Sequence, residues 1–256
     1  MISPVRLTEE LVSLAVCLQS LELLTLRQIF AQDGIWRPAI IEKEFRSFPR
    51  AIQLFLRLSS GYAGFSLLLV LRLLLGIALA VYPSFFCAAL LLFSTVLICL
   101  RFRGTFNGGS DYMTVVLLGS LSFIEMKPSD PKFVLAGLWF IALQSCLSYF
   151  IAGVVKLKSA SWRRGEALPA FVSASVYDTS RFLNAYSRFA LIFSWGIIVF
   201  ECLAPVIFLD SRLCFAFIVC AGFFHLTNVF VFGLNRFFFV WLATYPALYF
   251  CSQLTN

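Results

Sequence analysis

The sequence predicts an all-α fold: a polytopic transmembrane helical bundle of about eight spans with interfacial amphipathic helices. Three observations carry this. Of 256 residues, 61% are apolar and only 13% are charged, too little charge to cover a soluble surface. Apolar runs of about 20 residues recur, the length at which a helix crosses a bilayer core. Lysine and arginine gather in a few loops between those runs. The net charge of +7 then belongs to headgroup contacts and not to nucleic acid, since no soluble basic domain carries it. The whole chain, 1–256, is expected to form one membrane-embedded domain.

The elements follow in order. Met1 to Glu10 has no basic region or small-residue cleavage site, so no cleaved signal peptide is expected. Thr8-Glu9-Glu10 reads as a helix start, a capping hydroxyl followed by acids in the first turn. Leu11 to Phe30 is long enough to span, and Gln19, Glu22 and Arg27 require one face toward a bundle or an interface. Residues 31–60 form a connector. Its end, Phe48 to Arg57, places basic residues seven apart beside apolar ones, and a membrane-surface helix is expected near 45–58.

Gly64 to Val81 spans and carries Arg72 near its middle. A lone intramembrane arginine is costly and needs an acid or a wet cavity. Glu22, Glu201 and Asp111 are the candidate partners, with Glu201 or Glu22 expected. Phe85 to Leu100 returns. In the loop 101–111, Asn107-Gly108-Gly109 permits a tight, amide-rich turn that can cradle an anion or a carbonyl oxygen, or simply join two helices. Tyr112 to Glu125 is a short span, and Phe133 to Val155 a long one.

Residues 157–188 are the longest polar stretch, and within it 167–186 read as one or two interfacial helices. Phe189 to Leu209 spans, holding Glu201. Pro205, one turn later, frees a carbonyl and predicts a kink. Leu213 to Phe232 spans and holds the single histidine, His225, three residues before Asn228 on one helical face. Phe237 to Cys251 is the last span. The eight cysteines lie almost all in apolar runs, form no Cys-x-x-Cys, and read as small buried hydrophobes. With one histidine, no metal site is expected.

The chain is organised around Tyr149-Phe-Ile-Ala-Gly-Val-Val-Lys156-Leu-Lys-Ser-Ala-Ser-Trp162-Arg-Arg-Gly165. Lys156 stands where lipid gives way to water. Partial desolvation favours a neutral amine, and a neutral amine is a base. Lysines at helix ends also snorkel to headgroups without any chemistry, and on spacing alone that reading is the simpler one.

Three blocks of residues carry a resemblance. The first is Tyr149 to Leu157 with Trp162 and Gly165. The second is Ser194-Trp195-Gly196, Glu201 and Phe208-Leu-Asp210-Ser-Arg212. The third is Phe224-His225-Leu-Thr-Asn228. In this order and spacing they resemble the HTTM (horizontally transferred transmembrane) family, best known from the membrane domain of vitamin K-dependent gamma-glutamyl carboxylase. The resemblance implies that Lys156 is the base toward a quinol (menaquinol, ubiquinol or vitamin K-like). It implies that His225 acts with it, and that Asn228, Trp162 and Asn107 lie at the cofactor. Glu201 would hold a buried network, with Arg72 as its expected partner. The ammonium of Lys156 should then have few acidic neighbours.

Departures are plain. Val155 stands where the carboxylase has a first lysine, and glycine follows Asn107 where that enzyme has histidine. No stretch corresponds to the domain that holds its peptide substrate, so a separate soluble or secreted protein or peptide partner is implied. The charge bias puts Lys156 on the cytoplasmic side of a bacterial inner membrane, whereas the resemblance implies the opposite face. Three classes compete. They are a quinol-dependent oxygenase- or carboxylase-like enzyme, a non-catalytic anchor, maturation or immunity partner, and a transporter. The transporter lacks repeats and paired broken helices.

Overall fold

The computed structural model describes residues 3–39, 46, 48–101, 108–173 and 187–255, and among them regular structure is helical with no strand. The helices are α1 (Pro4–Thr25), α2 (Arg50–Ser60), α3 (Tyr62–Val81), α4 (Phe85–Arg101), α5 (Gly108–Met126) and α6 (Pro131–Lys158). They continue as α7 (Ala160–Arg163), α8 (Ala167–Ser173), α9 (Ser187–Cys202), α10 (Ser211–Phe232), α11 (Asn235–Leu242) and α12 (Tyr245–Leu254). Four stretches are long and apolar enough to cross a bilayer: α3, α6, α10, and α11 with α12 taken together. The other four expected spans are helical too. Of these, α4 and α9 are shorter, and α1 and α5 carry acids within their length. The chain is thus an all-α membrane bundle with shorter apolar helices beside its long ones.

Three expected boundaries move. The first helix starts at Pro4, not at Thr8. Ser3 Oγ accepts from Arg6 N at 3.1 Å as the capping group, while the Thr8 hydroxyl donates back to Pro4 O at 2.9 Å inside the helix. The expected span 189–209 ends as α-helix at Cys202 and continues as a 3₁₀ segment, Ala204–Phe208. Pro205 has no N–H for an α-helical bond, which is the kink anticipated there. The last span is broken at Ala243–Thr244, because Pro246 in the first turn of α12 cannot bond Leu242 O. The Thr244 hydroxyl donates to Trp241 O at 2.7 Å and closes the break.

The molecule divides into two compact units, residues 9–133 and residues 1–8 with 134–256. In the first, α4 packs along α5 and α3, and α2 lies on α3. Most of α2 is exposed, with Leu56 and Ser60 buried, as expected of a surface helix. Gly76 lets α3 approach α1, since a Cβ there would stand 2.7 Å from Cys17 Sγ.

Arg72, fully buried on α3, organises this unit. It donates to Gln19 Oε1 at 2.8 Å, Ser94 Oγ at 2.7 Å, Thr95 Oγ1 at 2.6 Å and Leu91 O at 3.2 Å. Gln19 passes the network to Asp111 Oδ1 at 3.0 Å. The expected pairing with Glu201 is therefore wrong, because Glu201 is bound to Lys156 in the other unit. The third candidate acid, Asp111, is the one the network reaches. Arg101 closes the end of α4. Its guanidinium lies over the rings of Phe30 and Phe65, at 5.2 and 4.5 Å, and donates to Ser60 O and Trp36 O.

In the second unit α10 packs against α11, α12 and the 3₁₀ segment, and α9 lies on α7 and α8. Asp210 caps α10, accepting from Arg212 N at 2.7 Å. Gly233, at φ 68°, ends it in the left-handed conformation that glycine adopts without strain. Gly165 (φ 75°) turns the chain after α7, and a Cβ there would meet Leu191 Cα at 2.7 Å. Trp195 on α9 holds the same corner by donating to Arg163 O at 3.1 Å.

Candidate functional site

Tyr149, Gly153 and Lys156 are spaced four and three along α6, so they form one stripe on the helix. Tyr149 and Gly153 are buried, and Lys156 at the helix end is 20% exposed. The stripe faces the end of α9 at unusually short range. A Cβ on Gly153 would stand 2.7 Å from Cys202 N and 2.9 Å from Glu201 C. Glycine is thus what allows the backbones to approach, and the approach sets Glu201 one turn away, under Lys156.

At the upper end Lys156 Nζ donates to both oxygens of Glu201, at 2.8 and 2.6 Å. The Glu201 side chain is only 4% exposed. The ammonium also lies 5.3 Å from the centre of the Trp162 ring. This corrects the expectation of few acidic neighbours. An amine shared between two carboxylate oxygens is half of an ion pair, not a free base. Lys158 is exposed on the other side of the helix, and its carbonyl and that of Leu157 accept from Arg163. Farther out, exposed Arg164 bonds Glu166 at 2.8 Å, and that hydrogen bond holds the Glu166 carboxyl below its ordinary range.

At the lower end lies a buried aromatic cluster. The Tyr149 hydroxyl is 2.5 Å from His225 Nε2. His225 is 1% exposed and stacks on Trp241, ring centres 5.2 Å apart and planes at 16°. Phe224 and Phe237 meet it edge-on. Tyr149 is packed by Phe200, Phe217 and Trp241. Two buried polar atoms in this cluster have no hydrogen-bond partner, His225 Nδ1 and Trp241 Nε1, while Tyr245 bonds Tyr149 through its hydroxyl. Unpaired buried polar atoms of this kind are uncommon in native structures.

The structure therefore joins Lys156, Glu201 and Trp162 in one group, and sets His225 in a second group two helical turns away, about 10 Å along α6. Asn228 is half-buried on α10, one turn past His225, and its carbonyl accepts from Leu234 N at 3.3 Å. Arg72 belongs to the other unit. Asn107 lies outside the described residues. Sequence reasoning missed Trp241 and Tyr245, and it quoted Tyr149 and Gly153 without giving them roles. For Gly153 the signal was present, a glycine one turn before a boundary lysine. Adding a single methyl, Gly153→Ala, is expected to cost about 1–3 kcal/mol by overpacking. Unfolding in mixed micelles checks this, and unchanged stability would mean the two helices do not need this contact.

The fold and this site define a class, an all-helical membrane protein with a lysine–carboxylate pair above a buried histidine–tyrosine cluster. A family model described as HTTM domain matches residues 122–253, a stretch that contains every residue of both groups. The chain belongs to the HTTM family. No curated protein and no solved structure matches it.

Proposed function

We propose that this chain is a quinol-handling membrane enzyme of the carboxylase-like kind, in which the aromatic cluster holds the quinol head and the Lys156–Glu201 pair exchanges its proton with water. The observation that supports it is the single stripe on α6 linking a buried phenol–imidazole bond to an ion pair at the helix end. The residues fit such a head group. His225 Nδ1 and Trp241 Nε1 are unpaired polar atoms among aromatic rings, suited to bond quinol oxygens while the rings bury its face. When bound, a quinol would supply two-electron reduction of oxygen.

The chain's own part is proton handling. A carboxylate alone takes a phenolic proton at a cost of about 8 kcal/mol, from the gap between ordinary phenol and carboxyl values. The pair stands about 10 Å along α6 from the cluster, so it receives the proton by relay and does not touch the new anion. This replaces the free lysine base with a pair in which Glu201 accepts the relayed proton and Lys156 is its counterion. Trp162 presents its ring to the ammonium at 5.3 Å, while the 20% exposure of Lys156 leaves the pair open to water. A separate soluble or secreted protein or peptide would supply the second substrate, and a bacterial inner membrane is the expected setting.

One observation favours the non-catalytic alternative, an anchor, maturation or immunity partner. Both Glu201 oxygens are committed to Lys156, as in a purely structural tie. Purification with native lipids, assay for bound quinone, and comparison of Lys156→Ala, Glu201→Gln and Lys158→Ala separate the two. The enzyme reading expects quinol oxidation lost in the first two variants and kept in the third. No bound quinone and equal behaviour of all three would establish the anchor.

A further inference from the structure

Apart from the Lys156–Glu201 pair, this unit holds a short buried contact between two titratable groups, Tyr149 and His225. A phenol in an apolar cage cannot lose an electron alone, because the cation left behind is unsolvated. It cannot lose a proton alone either, because the phenolate is unsolvated too. It can lose both together if a base touches the hydroxyl. His225 Nε2, at 2.5 Å, is that base.

We infer that Tyr149 and His225 form a proton-coupled redox pair. In the forward step a one-electron oxidant takes one electron from Tyr149. The O–H bond breaks, its proton forms a bond to His225 Nε2, and the products are a neutral tyrosyl radical, an imidazolium and the reduced oxidant. Re-reduction by one electron returns the proton to Tyr149. The surroundings suit both products. The radical is uncharged and shielded by Phe200, Phe217 and Trp241. The imidazolium lies parallel on the face of Trp241, where the ring quadrupole attracts a cation. Trp241 and Tyr245, oxidisable side chains of the same cluster, give the electron a path of contacts. The redox pair stands on this geometry. Only its natural oxidant, an oxygen-derived radical escaping from quinol oxidation, rests on the proposed function.

The test therefore omits quinone. The full chain in lipid nanodiscs, stripped of quinone, is illuminated with a ruthenium–polypyridyl photo-oxidant and persulfate, frozen, and read by high-field electron paramagnetic resonance. A persistent tyrosyl signal with the g-anisotropy of a hydrogen-bonded radical is expected. It is lost in Tyr149→Phe. It is also lost in His225→Gln, whose amide oxygen can accept the hydrogen bond but cannot take the proton, so this variant keeps the contact while removing the base. A signal unchanged in either variant, or no persistent signal in the parent, overturns the pair. The quinol assays above stand or fall separately.

Discussion

Replacing Lys156 by alanine is expected to destabilise the protein by about 3–5 kcal/mol, because it leaves the Glu201 carboxylate buried and unpaired. The reciprocal change, Glu201→Ala, should cost less, about 3 kcal/mol, since the ammonium left behind is 20% exposed and can turn to water. The inequality between the two is the informative part. A surface ion pair would give about 0–1 kcal/mol either way. The double variant Lys156→Met with Glu201→Leu removes both charges and fills their volume, so most of the stability should return. It also separates stability from chemistry. If the pair only ties α6 to α9, the double variant is a working protein. If the pair moves a proton, the double variant folds and has no quinol oxidation. Unfolding in mixed micelles, with activity measured on the same preparations, reads both. Single variants that melt like the parent would remove the pair from the structure's account of itself.

How much of this was legible in the sequence depends on the range of the interaction. The helical class followed from composition and apolar runs, which are local. The kink at Pro205 and the surface helix at 50–60 were legible for the same reason. Lys156, Glu201 and Arg72 were each visible as charges within apolar runs, but their partners were not. Glu201 was assigned to Arg72 because both lie deep in apolar segments. The structure gives it to Lys156, 45 residues away, because Gly153 brings two backbones together at one point. Nothing in the spacing of charges reveals such an approach. The glycine did, but a glycine in an apolar helix has many meanings. The break at Ala243–Thr244 was missed because Pro246 was read as part of an apolar run and not as a helix start. Tyr245, buried in the first turn after it, was missed with it. Aromatic residues make up 17% of the chain, so composition alone could not say which four would surround the histidine.

Removal of the Arg72 guanidinium is the second large effect expected. Arg72→Leu should cost about 3–5 kcal/mol, the range for breaking a buried charged network from one side. The reasoning turns on which groups are left behind. Ser94 and Thr95 lose a donor but still bond Leu91 O through their own hydroxyls, at 2.7 and 2.8 Å, so they lose little. Gln19 loses the donor to its carbonyl oxygen, and the Asp111 carboxylate beyond it, 2% exposed, loses the cation that its network leads to. Most of the cost therefore sits on the α1 and α5 side of the arginine, not on the α4 side. Ser94→Ala is then expected to cost about 0.6 kcal/mol, the average for a neutral hydrogen bond between membrane helices. Gln19→Leu should fall between, at about 1–3 kcal/mol, because it leaves a charged acceptor and a charged donor short of one partner each. Arg72→Lys should not rescue the parent, since an ammonium cannot reach Gln19 and the Ser94–Thr95 pair at once as the forked guanidinium does. The order Arg72→Leu, Gln19→Leu, Ser94→Ala, measured by unfolding in mixed micelles, is the signature. Equal losses in all three would show that the network acts through packing, with the charge of Arg72 contributing nothing of its own.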